Sequence, residues 1–189
     1  MVSFLEKAVT WSASSQVPKI SDNHGEPIIH MELGKLYFRL GSYEESNKNF
    51  LKSNSPEEYA DMVNQWIQKG SEGEYDLFMA RCILQLLCAK KEEMSRKVFS
   101  LLQKKNEKKP DTPLLHFVKF LLLAIEKKSL ALYTHVLNKY NTELTRRDAS
   151  LRDLYMEKIG TVYFGIKKTQ SQNTGLGSMI NSILSSMMK

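Results

Sequence analysis

The sequence predicts an all-α protein, built as an α-solenoid of antiparallel helical hairpins. Three observations carry this. Apolar residues recur at three- and four-residue spacing with no sustained strand alternation. Helix-start signals are frequent, among them Ser42-Tyr43-Glu44-Glu45, Ser55-Pro56-Glu57-Glu58 and Thr112-Pro113. The spacers between periodic segments are short, so consecutive helices are expected to fold back on one another.

In chain order, helices are expected at 2–14, 26–40, 43–53, 56–69, 74–89, 92–107, 113–126, 129–141 and 147–163. A loop at 15–25 follows the first, because Ser14, Ser15, Pro18, Ser21, Asp22, Asn23 and Gly25 crowd there. The next two helices carry His30, Leu33, Gly34, Tyr37, Gly41, Ser46 and Phe50 at the spacing of one tetratricopeptide unit. Gly34 is expected to let the two helices approach closely, and Gly41 to end the first. Ser42 and Ser55 open capping boxes, with Pro56 at the first helical position. Ser71-x-x-Glu74 repeats the device, and Thr145-x-x-Asp148 is a weaker version with the shorter acid. Later helical pairs keep the alternation but lose the repeat signature, which favours an irregular, tetratricopeptide-like solenoid.

The segment 113–126 is apolar on all sides and must be covered on all sides, either by neighbouring helices or partly by a partner. A break follows Gly165. Residues 1–165 are therefore read as the solenoid segment, and 166–189 as a polar linker and an amphipathic C-terminal helix. In that helix Leu176, Met179, Ile180, Ile183, Leu184, Met187 and Met188 form one apolar face among Ser and Asn. Such a Ser-rich helix forms only when its apolar face docks, on its own solenoid or at a partner site.

Composition narrows the function classes. The 189 residues are 42% hydrophobic and 25% charged, with 9 Gly and 5 Pro, a balance suited to one globular domain or solenoid segment. Two cysteines make no disulfide scaffold and no secretory signal opens the chain, so a cytosolic location is expected. The longest apolar stretch, 114–125, is broken by His116 and Lys119 and is too short for a membrane span. The net charge of +6 is uneven, with 20 Lys+Arg against 12 Asp+Glu in residues 71–189 and 7 against 9 before them. That excess reads as a solvated face: Lys104, Lys105, Lys108 and Lys109, and then Arg146, Arg147 and Arg152, lack the interleaved aromatics of a nucleic-acid surface.

No catalytic constellation emerges. Cys82 and Cys88 are six apart, about 240° around a helix. His24, His30, His116 and His135 fall on four separate elements. Gly175-Leu176-Gly177 lacks the Lys-Ser/Thr ending of a phosphate cradle. The acidic pairs Glu44-Glu45, Glu57-Glu58 and Glu92-Glu93 sit in first helical turns, where the dipole explains them. The expectation is a binding protein, not an enzyme, with no metal or cofactor.

Six segments in order along the chain carry a resemblance. They are 4–12 (FLEKAVTWS), Gly25-Glu26-Pro27-Ile28-Ile29-His30, 74–88 (EYDLFMARCILQLLC), 113–124 (PLLHFVKFLLLA), Ile159-Gly160-Thr161-Val162-Tyr163-Phe164-Gly165 and 175–188. Together they resemble the Get-four family, the fourth factor of guided entry of tail-anchored membrane proteins, over its C-terminal part. The resemblance implies an adaptor in delivering such proteins to the endoplasmic reticulum. Its C-terminal helices would hold a ubiquitin-like Get-five-type protein or a Bag-six-type scaffold. The family's contact with the targeting ATPase lies in an N-terminal block expected to be missing here, so it is not carried over.

By that analogy the partner groove is expected on the helix 113–126 and its neighbours, at Phe117, Phe120, Leu121, Tyr133, Val136, Tyr140, Tyr155, Ile159 and Tyr163, some of them plain core. The alternative is a tetratricopeptide-type co-chaperone or a helical-repeat subunit of another assembly, with a basic clamp for a carboxylate-ended peptide.

Overall fold

A computed structural model of the chain describes residues 1–15 and 24–166. All regular structure among them is helical, as expected. The helices are α1 (Val2–Ser15), α2 (Pro27–Arg39), α3 (Tyr43–Phe50), α4 (Pro56–Lys69), α5 (Tyr75–Cys88), α6 (Glu92–Lys105), α7 (Pro113–Glu126), α8 (Leu130–Ser150) and α9 (Glu157–Phe164). A 3₁₀ turn, Glu72–Glu74, precedes α5, and a π-helical turn, Leu151–Met156, joins α8 to α9. Most of the expected loop at 15–25 and all of the expected amphipathic tail lie outside the described residues. The chain forms two compact units. One comprises Met1–Tyr75 with Glu93–Glu107, the other Asp76–Glu92 with the residues from Lys108 onward.

In the first unit the α2–α3 hairpin closes as its spacing predicts. A Cβ on Gly34 would stand 2.8 Å from Cδ2 of the buried Phe50 ring, so only glycine admits this approach. Ser46 Oγ then donates to the Gly34 carbonyl at 2.8 Å, inside the same contact. Gly41 ends α2 in the left-handed region at φ +78°. The Phe50 ring stacks on Tyr59 of α4 at 5.7 Å, and the Tyr59 hydroxyl donates to Asn47 Oδ1 at 2.7 Å. His30, buried, lies between Asn49 Oδ1 at 2.8 Å and the His24 carbonyl at 2.6 Å, which ties the start of α2 to α3. Glu26 N–H donates to Ser12 Oγ at 3.0 Å, tying the same start to α1. Helix α6 is pinned to α4 by Lys97–Glu57 at 2.6 Å, Lys105–Asp61 at 2.7 Å, and Asn106 donating to Asn64 at 3.0 Å.

The second unit is organised around α7. Eight of its residues are buried, including Leu114, Phe117, Val118, Leu121 and Ile125, so neighbouring helices cover most of this all-apolar segment. Helices α5 and α7 both end on lysines in the left-handed region, Lys90 (φ 60°) and Lys128 (φ 49°), where glycine is usual. Bonds spanning five residues, Lys91 N–H to Leu86 O and Ser129 N–H to Ala124 O, both 3.0 Å, close both ends.

Several local expectations need correction. Ser42, Ser55 and Ser71 precede helical elements at or near the expected positions, yet none uses its side chain as a cap. Backbone bonds such as Tyr59 N–H to Ser55 O, at 3.0 Å, start α4, while Ser55 Oγ turns to Met31 Sδ at 3.0 Å. Thr112 does cap α7, accepting from Leu115 N–H at 3.3 Å, and Ser129 caps α8 in the same way. The expected gap between 141 and 147 is absent. Thr145 Oγ1 bonds back to the Asn141 carbonyl inside a continuous α8, and the chain breaks instead at Asp148 (φ −167°, ψ 109°).

Ion pairs explain that break. Asp148 accepts from the Ser150 amide at 2.9 Å and from Arg81 of α5 at 2.7 Å, while Arg147 pairs with the buried Asp76 of α5. Partial burial of Asp148 opposes its charge, but the Arg81 and Ser150 bonds outweigh this and hold the carboxyl below its ordinary range. The two crossed pairs therefore anchor the bend to α5 from opposite sides in charge.

Candidate functional site

The nine residues expected to line a partner groove all lie in the second unit, where the structure sorts them into two groups. On α7 and α8, Phe117, Leu121 and Val136 are fully buried and Tyr140 nearly so. The Tyr140 ring meets Phe117 edge-on at 5.9 Å and Phe120 at 6.4 Å. Phe120 alone of this group keeps substantial exposure, 37%. One helical turn further on, Leu123 is exposed to 38%. These two form a short apolar stripe at i and i+3 on the outer face of α7. Exposed Lys119, Glu126 and His116, the last paired with Asp111 at 2.7 Å, surround it. An apolar centre with a charged rim is the usual anatomy of a docking surface.

The second group, Tyr133, Tyr155, Ile159 and Tyr163, lies around α5, the π turn and α9. Tyr133 and Ile159 are wholly buried. The Tyr133 hydroxyl donates to the Met156 carbonyl at 2.7 Å and its ring stacks on Phe164 at 4.5 Å. Tyr155 and Tyr163 are half-buried, but their hydroxyls point inward. Gln85 Nε2 donates to Tyr155 at 3.4 Å, and Tyr163 donates to the Leu87 carbonyl at 3.2 Å. Their polar tips satisfy α5 and leave no rim of hydroxyls for a partner. Sequence reasoning did not single out Leu123 or Leu154, the latter 66% exposed on the π turn. For Leu123 a signal existed, its i+3 spacing from Phe120; for Leu154 none did, because the π turn was not anticipated.

Reactive chemistry does not gather here. Among the described residues no group of three or more His, Cys, Asp or Glu is arranged to hold a metal ion. Burial pushes the Cys82 thiol far up, and pushes Cys88 up against the opposing pull of Lys158. The three arginines of the second basic cluster face carboxylates: Arg146 pairs with Glu143, Arg147 with Asp76, and Arg152 lies 3.7 Å from Asp153. No helix of the described residues is long and apolar enough to cross a membrane.

Burial pushes the Tyr163 hydroxyl from 10.0 up to about 12, with the negative charges of Glu92 and ionised Cys88 adding to the effect. A folded value above the unfolded one contributes stability that is complete below pH 10.0 and lost as pH rises through about 12. Alkaline titration followed by tyrosinate absorbance and helical ellipticity should show helix loss in that window. Tyr163→Phe should move the loss to higher pH, and an unchanged profile in this variant would contradict the inward bond.

Comparison with known proteins supplies the family context. The family model described as Golgi to ER traffic protein 4 matches residues 1–184. A Golgi to ER traffic protein 4 homolog of Oryzias latipes is 34% identical over 191 residues, covering 97% of this chain and 57% of that protein. The homolog of Homo sapiens is 31% identical, covering 98% of this chain and 57% of its own length. The homolog of Dictyostelium discoideum is 29% identical with 97% and 57% coverage. The crystal structure of C. therm. Get4 superposes with a TM-score of 0.78 at 25% identity, over 96% of this chain and 62% of that one. That likeness bears out the α-solenoid class expected from the sequence. The chain thus spans little more than half the length of the curated relatives it matches, and their shared name is that of a traffic protein, not an enzyme.

Proposed function

We propose, from the premise that the chain belongs to the Golgi to ER traffic protein 4 family, that it is a non-enzymatic cytosolic adaptor in the delivery of tail-anchored membrane proteins to the endoplasmic reticulum. Its second unit would hold a segment of a ubiquitin-like Get-five-type protein, or of a Bag-six-type scaffold, on the outer face of α7. The observation that supports this is the Phe120–Leu123 stripe, which the described part of the chain leaves partly open although the eight other apolar residues between Leu114 and Ile125 are buried. An exposed aromatic beside an aliphatic residue, backed by the rigid Tyr140 ring, has the makings of an interface hot spot. The buried tyrosines and Ile159 then act as the scaffold under that face.

The test is co-purification of the 189-residue chain with the ubiquitin-like partner. The double variant Phe120→Glu/Leu123→Glu should weaken the complex by about tenfold or more, since a charge would be buried at the anchor. Lys104→Ala, on the exposed end of α6, is the control and should leave binding unchanged.

A further inference from the structure

The first unit holds a cleft that the adaptor reading does not use. It lies between α2 and α4 over an apolar floor of Phe38, Phe50 and Met62, and its volume is about 310 Å³. The α2 wall is basic, with Lys35 and Arg39; the α4 wall is acidic, with Glu58 and Asp61. Lys35 is engaged by Glu32 at 3.0 Å and Asp61 by Lys105 at 2.7 Å. Arg39 and Glu58 form no ion pair among the described residues. The cleft thus presents one unspent cation and one unspent anion on opposite sides of an apolar trough. At one end Tyr43 stacks on Trp66 at 5.7 Å, and Lys69 lies 5.2 Å from the Phe38 ring, so the floor continues into an aromatic platform.

We propose that this cleft seats an amphipathic helical segment of a second protein, with acidic residues along the flank facing α2 and basic residues along the flank facing α4. A volume of about 310 Å³ admits a pair of large apolar side chains, which fits anchors projecting from a helix lying across the trough. Lys35 and Arg39 are four residues apart on one helix, and Glu58 and Asp61 three apart on the other, so each wall repeats its charge about once per turn, as an occupying helix does. Charge argues against the chain's own tail, whose apolar residues at 176–188 are separated only by Ser and Asn apart from Gly177. It also argues against a carboxylate-ended peptide, which needs cations on both walls. This site is independent of the α7 face, so either can fail alone.

The experiment is a fluorescence anisotropy titration of the full chain with three labelled peptides of about 14 residues sharing one leucine stripe. One carries Glu on one flank and Lys on the other, one carries Glu on both, and one carries Lys on both. The mixed peptide should bind about tenfold tighter than either uniform one. Arg39→Glu should transfer the preference to the all-Lys peptide, and Glu58→Lys to the all-Glu peptide, with circular dichroism showing that each variant is folded. Non-specific attraction to a chain of net charge +6 would instead rank the all-Glu peptide first. That ranking, equal binding of all three, or no binding would overturn the proposal. So would concentration-dependent self-association abolished by Arg39→Glu, which would give the cleft to a second copy.

Discussion

Tyr133→Ala is expected to destabilise the second unit by about 3–5 kcal/mol, the cost of emptying a fully buried aromatic site. Three losses coincide there. The ring leaves its 4.5 Å stack on Phe164, a cavity opens beneath α9, and the Met156 carbonyl loses the 2.7 Å bond that holds the π turn. Tyr133→Phe isolates the last of these, removing the hydroxyl's bond to the Met156 carbonyl at a cost of about 0.5–1.5 kcal/mol. Urea denaturation followed by ellipticity measures both. A change below about 1 kcal/mol for the alanine variant would place Tyr133 on the surface and contradict the fold. The variant also warns against a natural misreading: any partner binding it loses would reflect damage to the scaffold.

Arg147→Met is the second large effect, also about 3–5 kcal/mol, because it leaves Asp76 buried without its guanidinium. The Asp76 side chain is only 4% exposed, whereas Arg81 in the neighbouring pair is 47% exposed. Arg81→Met should therefore cost no more than about 1 kcal/mol. The double replacement Asp76→Leu/Arg147→Met removes both charges and should recover most of the loss. Denaturation midpoints of the three variants decide it. Equal effects of Arg147→Met and Arg81→Met would show that burial does not separate the two pairs.

These two residues illustrate what was legible in the sequence. Periodicity and starting residues located the helices, because amphipathic spacing and proline act locally and survive any packing. Gly34 and Gly41 were readable for the same reason: one removes a side chain from a helix contact, the other enters the left-handed region. The break at Asp148 was not readable. Its causes, Asp76 and Arg81, lie some seventy residues away in sequence, and locally Thr145 offered a start signal, though a weaker one than the serine caps. The serine caps failed more mildly, since Pro56 and the backbone suffice to start a helix and free the hydroxyl for another contact.

At the candidate site, residue type was legible and orientation was not. Tyr133, Tyr155 and Tyr163 have the amphipathic character of interface residues, but whether a hydroxyl meets a partner or the carbonyl of a neighbouring helix depends on packing. Here all three turn inward, toward α5 or the π turn. Phe120 is distinguished from Phe117 only by its position around α7, and only the helices that pack on α7 determine which face remains open.

Calorimetric titration of the chain with the ubiquitin-like partner tests most directly whether the open α7 face binds. A complex should form at micromolar concentration or tighter, and Phe120→Glu/Leu123→Glu should weaken it by about tenfold or more while the melting temperature holds. A folded chain that forms no complex, or a double variant that binds as tightly as the parent, would contradict the assignment of the α7 face.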